Sequence, residues 1–65
     1  MQLTLNGAER EVAAATVAEL LDELGLRREV VVVERNEEVI PRAELERVRL
    51  LGGDQIEIIQ MIAGG

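Results

Sequence analysis

The chain contains few side chains that could carry out covalent or acid–base chemistry. It has no Cys, His, Ser or Lys, and its only hydroxyl groups are those of Thr4 and Thr16. Most enzymatic nucleophiles and general bases belong to the missing types. Without Cys or His no zinc site is expected, and no acidic cluster has the spacing of a calcium loop. We therefore expect a protein that is not an enzyme and that binds no metal or cofactor of its own.

The most distinctive chemical group is the carboxylate of Gly65, which follows Gly64 at the end of the sequence. Glycines lack a Cβ atom, so a glycine pair fits a narrow channel and leaves the last carbonyl open to attack. From Ile62 onward the tail reaches about 13 Å, at about 3.3 Å per residue. These properties suit a substrate whose end, including Ala63, enters the active site of another enzyme. An incidental glycine pair is the alternative.

The composition also bears on the kind of partner. The net charge is −6, from 11 Glu and 2 Asp against 7 Arg, and no aromatic residue is present. Such a chain repels phosphate backbones and has nothing to stack on a base, so we expect no nucleic-acid partner. No apolar run approaches the roughly 18 residues of a membrane span, and no signal peptide precedes the first strand. We expect a cytosolic protein with a protein partner, although acidity also simply keeps small domains soluble.

The elements that must position this tail fit one small domain over residues 1–65, with the tail at 62–65. A helix is predicted to begin at Thr16, where Glu19 completes a capping box, and to end at Gly25. Its apolar stripe consists of Val17, Leu20, Leu21 and Leu24. Because so short a helix is not stable alone in water, the stripe must pack on a sheet.

Alternating or β-branched segments predict the strands of that sheet. Predicted strands cover residues 1–6, 10–14, 30–33, 39–40 and 56–62, with a helical turn at 43–47 and an extended piece at 48–51. The valine-rich third segment is predicted to be a central strand, and Pro41 ends the fourth. The residues expected to meet between helix and sheet are Leu20, Leu24, Val32 and Ile58. The order of elements is an α+β arrangement in two layers.

The last predicted strand is apolar on both of its faces. Ile56 and Ile58 point to one side, and Ile59 and Met61 point to the other. If Ile59 and Met61 are exposed, they form an apolar patch beside the tail, which would be a docking surface for a partner protein. The alternative is that loops cover them.

Six segments of the chain resemble the ThiS-type sulfur carriers of thiamine biosynthesis. They are residues 1–7, 16–21, 32–36, 40–42, 53–58 and 63–65. The Pro-Arg, Gly-Asp and Gly-Gly pairs at these separations form a fairly specific set. Glu37 departs from the family pattern, which usually has Gly after this Asn, and suggests a longer turn. The resemblance implies a ubiquitin-like β-grasp fold, with a mixed sheet of four to five strands packed on one main helix and a flexible Gly-Gly tail.

The resemblance also implies a carrier function. In this family an adenylyltransferase related to ubiquitin-activating enzymes uses ATP to convert the terminal carboxylate, here that of Gly65, into an acyl-adenylate. Sulfur mobilised from cysteine by a desulfurase then displaces AMP and leaves a thiocarboxylate. Thiazole synthase takes the sulfur to build the thiazole ring. ATP is thus used by the activating partner and is not a cofactor of this chain.

Two other functions remain open from the sequence. A sibling carrier on the same fold would serve molybdopterin or another sulfur metabolite, although molybdopterin synthase subunits are usually longer and carry aromatic residues. A non-covalent β-grasp interaction module would have the Gly-Gly end incidentally. The acidic residues near the predicted turn and beyond Pro41 form either a solvated surface or one that steers the chain to basic patches on the activating enzyme. These residues are Glu37, Glu38, Glu44 and Glu46.

Overall fold

The computed structural model describes residues 1–61 of the chain. Its strands and helix are β1 (Gln2–Leu5), β2 (Ala8–Glu11), α1 (Val17–Leu24), β3 (Val31–Arg35), β4 (Glu38–Ile40) and β5 (Gln55–Gln60). The strands form one sheet in the order β2-β1-β5-β3-β4. The β1 and β5 strands are parallel, and every other neighbouring pair is antiparallel. As predicted, β3 is an interior strand, while β5 occupies the middle of the sheet.

Helix α1 begins and ends where the sequence predicts. The Oγ1 atom of Thr16 accepts a hydrogen bond from the N–H of Glu19 at 3.2 Å. The Glu19 carboxylate accepts a hydrogen bond from the N–H of Ala15 at 3.2 Å, whereas a capping box would use the N–H of the N-cap residue Thr16. Gly25 follows the helix with φ 71°, the left-handed conformation that commonly ends helices.

The hydrophobic core lies between α1 and the inner face of the sheet. Its largest fully buried side chains are Leu3, Leu20, Leu21, Ile56, Val17 and Val33. As predicted, Leu20 and Ile58 belong to this core, and Leu24 packs against it. The prediction for Val32 is wrong. Its two neighbours in β3 are buried, so the alternation of the strand turns Val32 to the outer face.

In both hairpins the first residue of the turn is an asparagine in the left-handed conformation. Asn6-Gly7 joins β1 to β2 with φ values of 49° and 84°, and Asn36-Glu37 joins β3 to β4 with 50° and 72°. Two-residue turns with both φ values positive match the twist of the strands that they connect. The prediction of a longer turn at Glu37 is therefore wrong. The turn has two residues, because Glu37 adopts the left-handed conformation that usually favours Gly.

Several predicted boundaries shift in the structure. The second strand begins at Ala8 and ends at Glu11, and all four of its residues are exposed, so no hydrophobic pattern marked its limits. Short 3₁₀ turns at Arg28–Val30 and Arg42–Glu44 replace the start of the predicted third strand and the helical turn at 43–47. Ile62, predicted to end the last strand, lies with the rest of the tail outside the described residues.

Two further features can be stated for residues 1–61. Within this range no helix is both long and apolar enough to cross a membrane. In the same range, no group of three or more acidic side chains is placed to hold a metal ion.

Candidate functional site

The predicted docking residues lie on the outer face of the sheet, at the end of β5 that leads to the tail. Ile59 is 48% exposed and Met61 is 46% exposed, whereas Ile56 and Ile58 are buried. The structure therefore decides which face of the last strand is free. Within residues 1–61 no loop covers Ile59 or Met61, so this alternative does not hold there.

A neighbouring valine extends this exposed pair across the sheet. Val32 lies directly opposite Ile59 in the antiparallel ladder between β3 and β5, and it is half-buried. The backbone N–H of Met61 donates to the carbonyl of Val30 at 2.7 Å, which keeps the chain beside β3 after β5 ends. We refer to Val32, Ile59 and Met61 as the apolar patch.

The same face becomes acidic away from the tail. Glu34 and Glu57 lie directly opposite each other on β3 and β5, and with Glu37 and Gln55 they line a depression of about 120 Å³. Like charges directly opposite on a sheet are destabilising. Within residues 1–61 no arginine forms an ion pair with Glu34 or Glu57. The outer face is thus divided into an apolar end and an acidic end.

The start of β5 is fixed by a buried carboxylate. Asp54 accepts hydrogen bonds from the N–H of Leu51 at 2.8 Å, from Nε of Arg35 at 2.9 Å and from Nδ2 of Asn36 at 3.2 Å. Burial raises the pKa of Asp54, but these hydrogen bonds and the positive charge of Arg35 outweigh burial. The pKa of Asp54 therefore lies below its ordinary value of 3.8. The Asp54 side chain thus shapes the turn before β5 through its hydrogen bond to the backbone of Leu51.

The other acidic residues considered in the sequence lie at the β3–β4 hairpin and in the segment after Pro41. Glu37 and Glu38 are exposed at the β3–β4 hairpin. Glu46 pairs with Arg28 at 2.9 Å, and Glu44 approaches Arg47 at 3.9 Å. Glu38 and Glu44 line the same depression, of about 310 Å³, and the steering role of the four carboxylates stays a prediction. The residues predicted to react or to enter a partner lie outside the described residues, and they are Ala63, Gly64 and Gly65.

Residues 3–65 match the model of the ThiS family. The chain belongs to the ThiS family. The sulfur carrier protein ThiS of Escherichia coli is 36% identical over 66 residues, and the alignment covers all of both proteins. The crystal structure of the thiamine biosynthesis protein ThiS from Geobacter metallireducens matches with a TM-score of 0.84 at 36% identity, again over the whole of both chains. The predicted β-grasp fold is thereby confirmed, with five strands.

This ThiS-family chain is also similar to part of a larger protein. A thiazole synthase of Paramagnetospirillum magneticum is 44% identical over 66 residues, which make up all of this chain but 20% of that protein. A thiazole synthase of Magnetococcus marinus is matched over the same share of its length. The chain thus spans about one fifth of these relatives, and in them a ThiS-like segment and a thiazole synthase share one polypeptide.

Proposed function

We propose that this ThiS-family chain is a sulfur carrier for thiazole formation in thiamine biosynthesis, and that it is not itself an enzyme. The observation that carries the proposal is the end-to-end similarity to a sulfur carrier protein ThiS, in sequence and in fold. The chain supplies one reactive group, the carboxylate of Gly65. Its cytosolic location stays a prediction from the sequence.

The proposed reaction proceeds at Gly65 in two steps. An oxygen of its carboxylate attacks the α-phosphorus of ATP on an adenylyltransferase, which releases pyrophosphate and forms the acyl-adenylate. A sulfur nucleophile at the sulfide oxidation level, such as hydrosulfide, then attacks the carbonyl carbon, AMP leaves, and the thiocarboxylate remains. Because the chain has no Cys and no Lys, it has no thiol or side-chain amine that could capture the adenylate. The sulfur must therefore come from a partner system, in which a cysteine desulfurase acts indirectly.

The proposed acceptor of the sulfur is a thiazole synthase. Two relatives that bear this name contain a segment similar to the whole chain. A carrier segment that shares a polypeptide with its acceptor in some proteins is expected to serve the same acceptor in its relatives. This similarity favours the thiazole branch over a carrier for molybdopterin.

The apolar patch is the proposed docking surface for the adenylyltransferase. Ile59 and Met61 are nearly half exposed on a strand whose inner face is fixed in the core. A partner seated there would have Ala63 and Gly64 within a few residues of its contact surface, and the tail is long enough to enter a channel. Large exposed apolar side chains at the centre of an interface contribute much of its binding free energy.

Growth without thiamine provides the test of this function. A bacterial strain that lacks its ThiS gene should grow without thiamine when it produces this chain together with the adenylyltransferase and thiazole synthase from the same genome as the chain. The matched variant lacks only Gly65 and should give no growth, although its domain stays folded. Growth of the Gly65-deleted variant would favour a non-covalent interaction module instead.

A further inference from the structure

The part of β5 nearest the tail has a neighbouring strand on one side only. Strand β1 runs parallel to β5, but only two residue pairs are aligned. The last backbone hydrogen bond on this side runs from the N–H of Asn6 to the carbonyl of Ile56, at 2.9 Å. The chain then turns away at Asn6-Gly7, while β5 continues to Gln60.

The side chain of Asn6 takes the place of the missing backbone. The N–H of Ile58 donates to Oδ1 of Asn6 at 2.8 Å, and Nδ2 of Asn6 donates to the carbonyl of Ile58 at 3.4 Å. A side-chain amide carries a carbonyl acceptor and an N–H donor, as a peptide group does. Asn6 therefore adds one more step to the ladder after its own backbone has left it. Its φ of 49° is one that Asn adopts more readily than most residues.

On its other side β5 remains paired with β3. The register continues to the pair of Val31 and Gln60, and Met61 still bonds to Val30. Without Asn6, the residues of β5 beyond Ile56 would be hydrogen-bonded only to β3. The ends of strands with few hydrogen bonds are among the first parts of a protein to open. Ile59 and Met61 lie in the segment that would open.

We propose that Asn6 is a positioning residue for the carrier reaction. By holding Ile58 it keeps the chain ordered through Ile59 and Met61, so that only residues 62–65 separate the ordered patch from the reactive end in the sequence. This inference rests on the proposed function. A docking segment that is already ordered loses less conformational entropy when the partner binds. A short tail also holds its end at a higher effective concentration near the partner's active site.

The other hairpin supplies a matched control. Asn36 has φ 50°, and its Oδ1 accepts a hydrogen bond from the N–H of Gln55 at 2.9 Å. It therefore holds the opposite end of β5, away from the tail. Glycine fits a positive φ at both positions, so Asn6→Gly and Asn36→Gly each remove the side-chain contacts to β5 without straining the turn. Asn36→Gly also removes the hydrogen bond to Asp54.

The experiment measures thiocarboxylate formation at several carrier concentrations, with the adenylyltransferase from the same genome, ATP and a sulfur source. Asn6→Gly should raise the KM for the carrier about fivefold to tenfold and should leave kcat nearly unchanged. In this variant the docking side chains become ordered only when the partner binds, which costs conformational entropy. The amide of Ile58 should exchange faster with solvent in this variant. Asn36→Gly should keep the wild-type KM even where its melting temperature falls as much.

The outcomes separate the inference from the function on which it rests. Equal KM values for the wild type and both glycine variants, or equal increases in both variants, would overturn the role of Asn6. Failure of the wild type to form any thiocarboxylate would contradict the proposed function and the positioning role together. If Asn6→Gly does not fold, Asn6→Asp replaces it, because Asp puts a charged oxygen where Nδ2 of Asn6 faces the carbonyl of Ile58, and the two oxygens repel each other. A wild-type KM for Asn6→Asp would then overturn the inference.

Discussion

Arg35 and Asp54 form an ion pair at 2.9 Å that joins the end of β3 to the turn before β5. The Asp54 side chain is only 7% exposed and that of Arg35 is 27% exposed, so water screens this pair less than an ordinary surface pair. Asn36 and the backbone of Leu51 complete the hydrogen bonds of the carboxylate. The pair thereby fixes the first residues of the middle strand, which leads to the tail.

The stability of the domain should therefore depend on pH through Asp54. Its pKa in the folded chain lies below the ordinary value of 3.8, so its stabilising effect is complete above that value. The effect is lost as the pH falls through the lower pKa of the folded state. We expect Asp54→Asn to lower the free energy of unfolding by about 1–3 kcal/mol at neutral pH. The difference from the wild type should shrink below about pH 4.

Urea unfolding of both proteins across this pH range is the measurement for Asp54. Asp22→Asn provides the control, because Asp22 is exposed on α1 and also loses one negative charge. The control should unfold like the wild type at neutral pH. A difference between Asp54→Asn and the wild type that stays constant down to pH 2 would contradict this account of Asp54.

The helix–sheet core makes a second prediction. Leu20 is completely buried between α1 and the sheet, so Leu20→Ala should cost about 2–5 kcal/mol. A domain of this size has only a few kcal/mol of stability, and the variant should be largely unfolded at 37 °C by circular dichroism. Leu51→Ala, at a position that is 60% exposed, should melt close to the wild type. Similar melting of both variants would show that the helix does not depend on this contact.

The left-handed conformation of Glu37 makes a third prediction. This conformation costs a non-glycine residue about 1–2 kcal/mol, so Glu37→Gly should raise the free energy of unfolding by about 1 kcal/mol. Glu38→Gly is the matched control, since Glu38 lies in β4 next to Glu37 and is also exposed. Glycine within a strand is destabilising, so the control should melt earlier. Destabilisation by both substitutions would mean that the turn does not strain Glu37.

Changes near the end of the chain should separate binding to the adenylyltransferase from adenylation itself. Met61→Glu places a charge in the apolar patch and should weaken binding to the adenylyltransferase about thirtyfold, the effect of losing an anchor worth about 2 kcal/mol. Val39→Glu is the control, because Val39 is 61% exposed and faces the same side from the edge strand β4. Deleting Gly64 and Gly65 should abolish adenylation and leave much of the binding. Normal binding by a folded Met61→Glu variant would place the contact elsewhere.

The parts of this fold that depend on neighbouring residues were predictable from the sequence. The N-cap at Thr16 and the left-handed Gly25 involve contacts within a few residues, so local patterns reveal them. Ile59 and Met61 could be assigned to one face because residues two positions apart in an extended chain share a face. Which face was exposed required the position of the helix.

The errors and omissions have physical causes as well. Val32 was placed on the wrong face because an unbroken run of valines carries no alternation. The contact between Asn6 and Ile58 was missed because the two residues lie 52 positions apart, and no local pattern reports the end of a parallel partner strand. The local signal is the Asn-Gly pair at residues 6 and 7, and such a pair by itself indicates only a hairpin turn.

The central claim is that Gly65 accepts sulfur, and the intact mass of the chain tests it most directly. The chain is incubated with ATP, the adenylyltransferase from the same genome and a sulfur source, and its mass is then compared with that of an untreated sample. The account predicts a mass change that corresponds to the replacement of one oxygen by one sulfur, located at Gly65 by fragmentation. An unchanged mass, with an enzyme preparation that forms adenylate on another ThiS protein, would contradict it.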